Sequence, residues 1–129
     1  MKKLITLTTL FIWGVVSQAQ TTYHVTKTFS YTWDERSEDW LYNNTGYPED
    51  MTITIYGNLF TVTDNAKSNY RTVKVVKETE NADVLSTTWE ATDEKNKRCW
   101  VRLCYYKKTR NSYFVVIYSS FKIEYQYED

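Results

Sequence analysis

Apolar and polar residues alternate with a period of two along much of this chain, which is the pattern of β-strands that bury one face. The segments on either side of Gly57-Asn58 show it most clearly. A two-residue turn of type II′ at that dipeptide places Ile55 opposite Phe60. The next apolar pair is then Ile53 with Val62, so all four apolar side chains share one face. The sequence therefore predicts a β-hairpin here.

The composition of the chain favours strands over helices. Within residues 20–129, Tyr, Thr, Val and Ile account for 41 positions, whereas Leu and Ala account for 7. β-branched and aromatic side chains suit a pleated, half-buried surface, and Leu and Ala are residues that helices favour. We predict an all-β fold with strands at 23–33, 51–56, 59–63, 70–78, 84–92, 98–107, 113–119 and 121–127.

The first of these strands alternates over its whole length. Its apolar face carries Tyr23, Val25, Phe29, Tyr31 and Trp33. We expect that single face to cover the core. Turn-forming residues dominate the stretch from Asn43 to Asp50, which we therefore expect to be a connection.

A second hairpin is expected around residues 93–98, where the register follows from the faces that it creates. A three-residue loop over 94–96 pairs Trp89 with Val101 and keeps apolar residues on one face. An even loop would place acidic and apolar side chains together. Asn96 would adopt the left-handed conformation that the three-residue loop requires.

The same reasoning applied to residues 109–111 pairs Tyr105 with Val115 and Leu103 with Ile117. This register gathers five large side chains on the face opposite the core, namely Trp100, Tyr106, Phe114, Val116 and Tyr118. Large aromatic patches often mark binding surfaces. Our candidate binding residues are Trp100, Tyr106, Phe114 and Tyr118. The alternative is that this face is also buried, because a short chain needs most of its aromatic residues for its core.

Seven or eight sequential antiparallel strands joined by short loops form a meander. In a single domain over residues 20–129, this meander would close into a small up-and-down barrel. A two-layer β-sandwich is the alternative architecture.

The first nineteen residues have the three parts of a secretory signal peptide. Met1-Lys2-Lys3 is basic, Leu4–Val16 is apolar, and Ser17 and Ala19 are the small residues of a cleavage site. The apolar run is shorter than the ~20 residues that cross a bilayer, which argues against a membrane anchor. We expect a signal-peptide helix within residues 1–19 and an exported protein, periplasmic or extracellular, that is not embedded in the membrane after cleavage.

Charge and glycine content exclude two classes of function. After cleavage the chain has 14 basic and 16 acidic residues, a formal charge of −2, which gives no electrostatic reason to expect a nucleic-acid partner. The whole chain contains three Gly, so a glycine-rich phosphate-binding loop is excluded.

Two cysteines, Cys99 and Cys104, lie five residues apart in one predicted strand. An odd separation puts them on opposite faces, roughly 16 Å apart. A disulfide needs Cα atoms within about 7 Å, so we expect two free thiols, Cys99 in the core and Cys104 on the second face.

Catalytic and metal-binding motifs are missing from the sequence. His24 is the only imidazole, and the GxSxG, HExxH and Walker patterns do not occur. Residues 34–39, between Trp33 and Trp40, hold four carboxylates that could bind Ca²⁺ or a sugar, but Arg36 lies among them and the spacing of an EF-hand is missing. A solvated loop explains this run better. We predict no metal, no cofactor and no enzymatic activity.

Three short segments carry a resemblance to a known group of proteins. ITIYGN at 53–58, WEATDE at 89–94 and CWV at 99–101, followed by a Tyr-rich terminal strand, resemble uncharacterised small exported β-rich proteins of Bacteroidota-type bacteria and their phages. The Ala-Gln end of the signal peptide resembles the same source. The resemblance implies export and a β-rich fold, and it provides no active site to transfer.

These observations favour a non-catalytic binding or interaction module of the cell envelope or exterior, whose partner is a protein, a peptide or a glycan. A small lipocalin-like barrel with an apolar ligand inside is the alternative, although about 110 residues leave little interior space. A small hydrolase that uses carboxylates near Trp33 or Trp40 is the third hypothesis.

Overall fold

The computed structural model describes residues 19–128, and within them it contains nine β-strands and no helix. The strands are β1 (Thr21–Asp34), β2 (Asp39–Gly46), β3 (Thr52–Tyr56), β4 (Leu59–Thr63), β5 (Lys67–Glu80), β6 (Val84–Asp93), β7 (Arg98–Tyr106), β8 (Asn111–Ile117) and β9 (Phe121–Glu128). The predicted signal-peptide helix, apart from Ala19, lies outside the described residues.

Eight of the strands form a closed antiparallel barrel. Each strand from β3 to β8 pairs with the next one along the chain, and β1 closes the barrel by pairing with both β3 and β9. This confirms the predicted all-β up-and-down barrel rather than the sandwich. Closure removes the free edges that an open meander of this length would expose.

The length of β1 explains how one strand serves three neighbours. Its first part, Thr21–His24, pairs with β3, and its residues 28–34 pair with β2 on the same side. Residues 24–32 pair with β9 on the other side. Strand β3 is short, so β2 lies beyond its end along the same side of β1. Strand β2 is therefore a ninth strand that is not part of the closed barrel.

Strand β2 was not predicted. Residues 43–50 were expected to be a connection, whereas residues 43–46 belong to β2. Strands β1 and β2 form a hairpin with Asp34 paired to Asp39, and its exposed turn at 35–38 lies within the solvated loop expected over 34–39. Asp34 Oδ2 accepts hydrogen bonds from the amide and hydroxyl of Ser37, and Glu38 adopts a φ of 53°. The asparagines of β2 lowered its strand propensity, but pairing with a long neighbour outweighs propensity at such positions.

The first two predicted hairpin registers are confirmed. Ile55 pairs with Phe60 across a turn in which Gly57 has a φ of 59°, as a type II′ turn requires. Trp89 pairs with Val101, and Asn96 has a φ of 61° in the loop between β6 and β7.

The third predicted register is wrong. Leu103 pairs with Phe114, not with Ile117, because the connection between β7 and β8 is a four-residue loop over 107–110 in which Arg110 takes a φ of 64°. The shift of three positions is odd, so it exchanges the two faces of β8. Phe114 and Tyr118, predicted on the outside, therefore point into the barrel.

The barrel interior is filled with aromatic and branched side chains. The ring of Phe60 stacks on that of Phe114 at 5.1 Å and lies 5.5 Å from that of Trp89, and Phe114 also contacts the rings of Tyr70 and Tyr125. Around them the core includes Tyr23, Val25, Ile53, Ile55, Val62, Leu85, Ala91, Cys99, Val101, Leu103, Tyr105, Val116, Tyr118 and Tyr127.

One irregularity in β1 changes which residues enter this core. The pairing with β9 shifts between Val25 and Lys27, which marks a β-bulge. Tyr23 and Val25 are buried inside the barrel. After the bulge the faces exchange, so Phe29, Tyr31 and Trp33 lie on the outer surface, and the predicted single apolar face of this strand is wrong beyond Val25.

Candidate binding surface

A second set of aromatic rings lies on the outside of the barrel and continues onto the β1–β2 hairpin. It begins on β7, crosses β8 and ends on β2. We call it the outer aromatic band and define it as Tyr106, Tyr113, Phe29, Tyr31, Trp33, Trp40 and Tyr42. Ring centroids lie 5.6 Å apart for Tyr106 and Tyr113, and 6.3 Å apart for Tyr113 and Phe29.

The hairpin half of the band follows directly from the register of β1 and β2. Tyr31 pairs with Tyr42, and Trp33 pairs with Trp40. Their rings meet edge to face, with centroids 6.0 Å and 5.2 Å apart respectively. Direct cross-strand pairs of this kind stabilise a hairpin and hold the rings in fixed orientations.

An ion pair lies within the band. Lys122 Nζ is 4.7 Å from the centroid of the Tyr31 ring and 5.1 Å from that of Trp40. The same nitrogen lies 3.8 Å from Glu124 Oε2, and the Tyr31 hydroxyl donates to Glu124 Oε1 at 3.2 Å. The Lys122 and Glu124 side chains keep only 16% and 24% of their exposure. Partial burial, followed by the negative charge of Glu124, raises the pKa of Tyr31 to about 12.

This arrangement restricts its side chains more than an ordinary surface ion pair does. A cation held over two ring faces and paired with a carboxylate that also accepts a tyrosine hydrogen bond restricts all four side chains. Such groups lose water on folding, which is costly unless each charge is paired, as the charges of Lys122 and Glu124 are here. The band is thus an ordered, partly dry surface.

The side chains beneath the band are buried although they face outward. Cys104 and Val115 keep 4% and 3% of their exposure. Burial raises the pKa of the Cys104 thiol to about 11, so the group is a neutral thiol at physiological pH. The other thiol, Cys99, lies inside the barrel, and both cysteines are free, on the opposite faces that the sequence predicted.

The four predicted binding residues do not form one surface. Trp100 and Tyr106 lie on the outside, with 38% and 44% exposure. Phe114 and Tyr118 are inside, because the register of β8 differs from the predicted one. Tyr106 belongs to the outer aromatic band through its contact with Tyr113.

The residues that sequence reasoning missed are those of the hairpin. Tyr31 and Trp33 before the turn mirror Trp40 and Tyr42 after it, at equal distances from the midpoint of 34–39. A four-residue loop centred there brings both pairs into register. That symmetry is the signal that would have identified the hairpin and half of the band.

A polar cluster at one end of the barrel has a structural role. Asp93 Oδ1 accepts hydrogen bonds from the amides of Lys95 and Lys97, and its Oδ2 accepts one of 2.8 Å from the Tyr118 hydroxyl. The carboxylate therefore caps the β6–β7 turn. Across residues 19–128, no three His, Cys, Asp or Glu side chains come together as a metal site would need. No helix in that part of the chain is long and apolar enough to cross a membrane.

Comparison of the chain with protein-family models, with curated proteins and with solved structures finds no significant match. The geometry of the surface is therefore the basis for assigning it a function.

Proposed function

We propose that this chain is an exported, non-catalytic binding module of the cell envelope or exterior, and that it binds a protein partner through the outer aromatic band. The single observation that carries the proposal is the presence of two separate aromatic sets in one small barrel. One set fills the interior, and the other covers part of the outside.

The outer set is larger than the stability of the fold requires. The interior is already packed by Phe60, Trp89, Phe114 and their neighbours. Aromatic rings left on the surface of a small domain usually serve association. The two ends of the band are its most exposed parts, with Tyr106 at 44% and Tyr42 at 58%.

The order of the band supports protein recognition. Tyr and Trp side chains contribute a large contact area with few rotatable bonds, and they are the residues that most often dominate binding energy at interfaces. Lys122 and Glu124 hold Tyr31 and Trp40 in place before any partner arrives. A surface that is ordered in advance loses less entropy on binding.

The packed interior favours the outer surface over a lipocalin-like site. Stacking of Phe60 on Phe114 and the contacts of Tyr70 and Tyr125 with Phe114 occupy the centre of the barrel. An apolar ligand would have to displace these rings. Loss of such packing costs several kcal/mol for each large side chain.

Site-specific photo-crosslinking in the native host tests the proposal. A photoreactive residue replaces Tyr42 in the band, and a matched control carries it at Tyr56, which is 46% exposed on β3. We expect a discrete protein adduct from position 42 alone, and its loss when Trp33→Ala and Trp40→Ala are introduced together. Equal adducts at both positions, or none at position 42, would contradict the assigned surface. An adduct that resists proteases would identify a glycan instead of a protein.

Export is tested on the same material. The intact mass of the protein recovered from the envelope or medium should correspond to a chain that begins at Gln20. Recovery of the full 129-residue chain from the cytoplasm would contradict export.

A further inference from the structure

Strand β2 has an edge whose backbone groups are directed away from the barrel. Within the described residues it pairs with β1 alone. The Trp33 amide donates to the Ser120 carbonyl at 2.9 Å, on the side of β1 away from β2, so Trp33 and Trp40 are a pair without ladder hydrogen bonds. The N–H and C=O groups of Trp40, and by alternation those of Tyr42, therefore point to the free side of β2.

A single carboxylate occupies part of this edge. The Trp40 amide donates to Asp39 Oδ1 at 2.8 Å, which agrees with an N–H that β1 does not use. Residues 39–46 contain no Lys and no Pro, the residues by which many edge strands resist the addition of another strand. An incoming strand would replace the Asp39 contact with a ladder hydrogen bond, and the carboxylate would then be available to a cation.

Acidic residues flank the edge. Residues 34–50 hold six acidic residues and one basic residue, whereas the rest of the chain after residue 19 holds 10 acidic and 13 basic residues. The exposed carboxylates of this segment are those of Glu35, Glu38, Asp39, Glu49 and Asp50. In the part of the chain that the structure describes, none of them forms an ion pair. The negative charge of the protein is thus concentrated around β2.

The acidic residues lie at both ends of the edge. Gly46 pairs with Thr28 at the end of β2, and the Val25 amide donates to the Met51 carbonyl at 2.9 Å before β3 begins. Residues 47–50 therefore pass along the side of β1 that β2 occupies. Strand β2 has eight residues and is roughly 25 Å long. One group of carboxylates lies at its turn, and the other lies just beyond its last residue.

The edge is continuous with the outer aromatic band. Trp40 and Tyr42 belong to both, so the side chains of an added strand would pack against their rings on the outer face. On the opposite face Leu41 is 49% exposed. The middle of the edge thus offers apolar contacts on both faces, and its ends offer negative charge.

We propose that the partner bound by the outer aromatic band contributes an extended basic segment, which adds to β2 as a further strand. This inference rests on the proposed function and names the chemistry of its partner. The segment has apolar residues in its middle, against Trp40, Leu41 and Tyr42, and Lys or Arg at both ends, against the carboxylates.

Charge disfavours the other pairings. Two β2 edges from two copies of this chain would bring carboxylates together. The second unpaired stretch, residues 73–80 of β5, contains two Lys and two Glu, so its net charge selects no partner.

Titration of synthetic peptides into protein purified from cells expressing the full chain tests the proposal. The probe is a peptide of about nine residues, Lys-Arg-Val-Thr-Tyr-Thr-Val-Arg-Lys, which is long enough to span β2. One matched peptide has Glu in place of every basic residue. A second keeps all side chains but carries N-methyl groups on its central amides, which removes the donors of a ladder. We expect the basic peptide to bind at least about tenfold more tightly than either matched peptide, and less tightly as salt rises.

Amide hydrogen exchange locates the added strand. We expect the basic peptide to slow exchange of the Trp40 and Tyr42 amides by at least about tenfold and to leave residues 73–80 unchanged. Protection of β5 instead, or equal binding of the acidic peptide, would overturn the proposal. So would protection of Trp40 and Tyr42 that grows with protein concentration in the absence of peptide, because a second copy would then cover the edge.

Two substitutions at one position separate the backbone from the ring. Tyr42→Ala removes the ring and keeps the outward N–H, whereas Tyr42→Pro removes both at a site where an edge strand tolerates Pro. We expect Tyr42→Pro to bind the basic peptide at least about tenfold more weakly than Tyr42→Ala does. Equal binding would overturn strand addition. Near-ultraviolet circular dichroism verifies that both variants keep the native fold.

Neutralising one carboxylate at each end tests the role of charge. Glu35→Gln together with Glu49→Gln should weaken binding of the basic peptide at least about fivefold. The matched control, Glu78→Gln together with Glu80→Gln on β5, should leave the affinity unchanged. The same affinity in both double variants would contradict recognition of a basic segment.

The outcomes separate this inference from the proposed function. Crosslinking in the host reports whether a protein occupies the band, and the peptide titration reports how a segment is recognised. An adduct from position 42 together with no peptide binding would overturn strand addition and leave the proposed surface in place. Peptide binding at the edge without any adduct in the host would contradict the proposed function alone.

Discussion

Neighbouring residues of β8 have opposite roles, and their difference decides which aromatic set each one joins. Phe114 is fully buried among the rings of Phe60, Tyr70 and Tyr125. Tyr113, one position earlier, lies on the outer face against Phe29 and Tyr106. A change of one position in register would exchange the two, so substitutions here report the register of the strand directly.

We expect Phe114→Ala to lower the free energy of unfolding by about 3–5 kcal/mol, because it leaves a cavity in the centre of the barrel. The matched substitution Tyr113→Ala should cost about 1 kcal/mol, since its site opens to solvent. Urea unfolding of both variants measures the difference. A larger loss for Tyr113 than for Phe114 would contradict the observed register.

The Asp93 carboxylate makes stability depend on pH. Its partial burial alone would raise its pKa, but hydrogen bonds from the Lys97 amide, the Tyr118 hydroxyl and the Lys95 amide outweigh burial and hold the pKa below the usual 3.8. A carboxylate with a lowered folded pKa stabilises the protein above its unfolded pKa, and this contribution disappears as pH falls through the folded pKa.

Asp93→Asn should therefore destabilise the protein at neutral pH, and the difference from the unaltered protein should shrink as pH falls below about 4. Urea midpoints recorded across that range provide the measurement. Asp34 is the last residue of β1, beside the exposed turn of the β1–β2 hairpin, so Asp34→Asn should have a smaller effect at neutral pH. A difference that stays constant with pH would show that the charge of Asp93 is not what the turn requires.

At the scale of elements, the β1–β2 hairpin owes its order to side-chain pairs as well as to its backbone. Asp34 binds Ser37 in the turn, the Trp33 amide donates to the Ser120 carbonyl, and Gly46 ends β2 where a side chain would meet Thr28. Hydrogen bonds therefore order the turn of the hairpin and join β1 to the residue before β9, and Gly46 allows the end of β2 to pack closely on Thr28.

Trp33 and Trp40 are the closer of the two aromatic pairs within the hairpin, with ring centroids 5.2 Å apart. A double-mutant cycle with alanine at both positions should give a coupling energy of about 0.5–1.5 kcal/mol in urea unfolding. The control cycle joins Trp33 with Tyr56 on β3, and we expect those two substitutions to be additive. Coupling as large in the control as in the pair would mean that the cycle reports a general loss of structure.

At the scale of the whole molecule, closure through β1 and β9 divides the strands into two classes. Strands β6, β7 and β8 have a neighbour on both sides along most of their length. Strand β2 and residues 73–80 of β5 have a paired neighbour on one side only. Hydrogen bonding on both sides and burial of the inward face protect backbone amides, and free edges open at lower free energy.

Amide hydrogen exchange should follow this division. We expect the slowest exchange in β6–β8, and fast exchange in β2 and in residues 73–80 of β5. Slow exchange in β2 would contradict an unpaired edge.

Much of the fold was predictable from local pattern. The hairpin at Gly57-Asn58 and the loop ending at Asn96 were correct because a glycine or asparagine at a required positive φ coincided with matching apolar faces. The β7–β8 register was wrong because Arg110, which carries no such signal, takes the left-handed conformation. The second half of β1 was misplaced because neither propensity nor alternation marks a bulge, whereas β2 was missed because its asparagines lower its strand propensity.

By itself, the sequence determined the all-β class, the closed meander and the opposite placement of Cys99 and Cys104, because these depend on composition, turn length and the period of two. Only the tertiary structure decided which aromatic rings lie inside and which lie outside. That choice depends on β-bulges and strand register, which are set by pairing between distant segments such as β1 and β9. The outer aromatic band and the unpaired strand edges arise from those long-range pairings, so local sequence alone does not specify them.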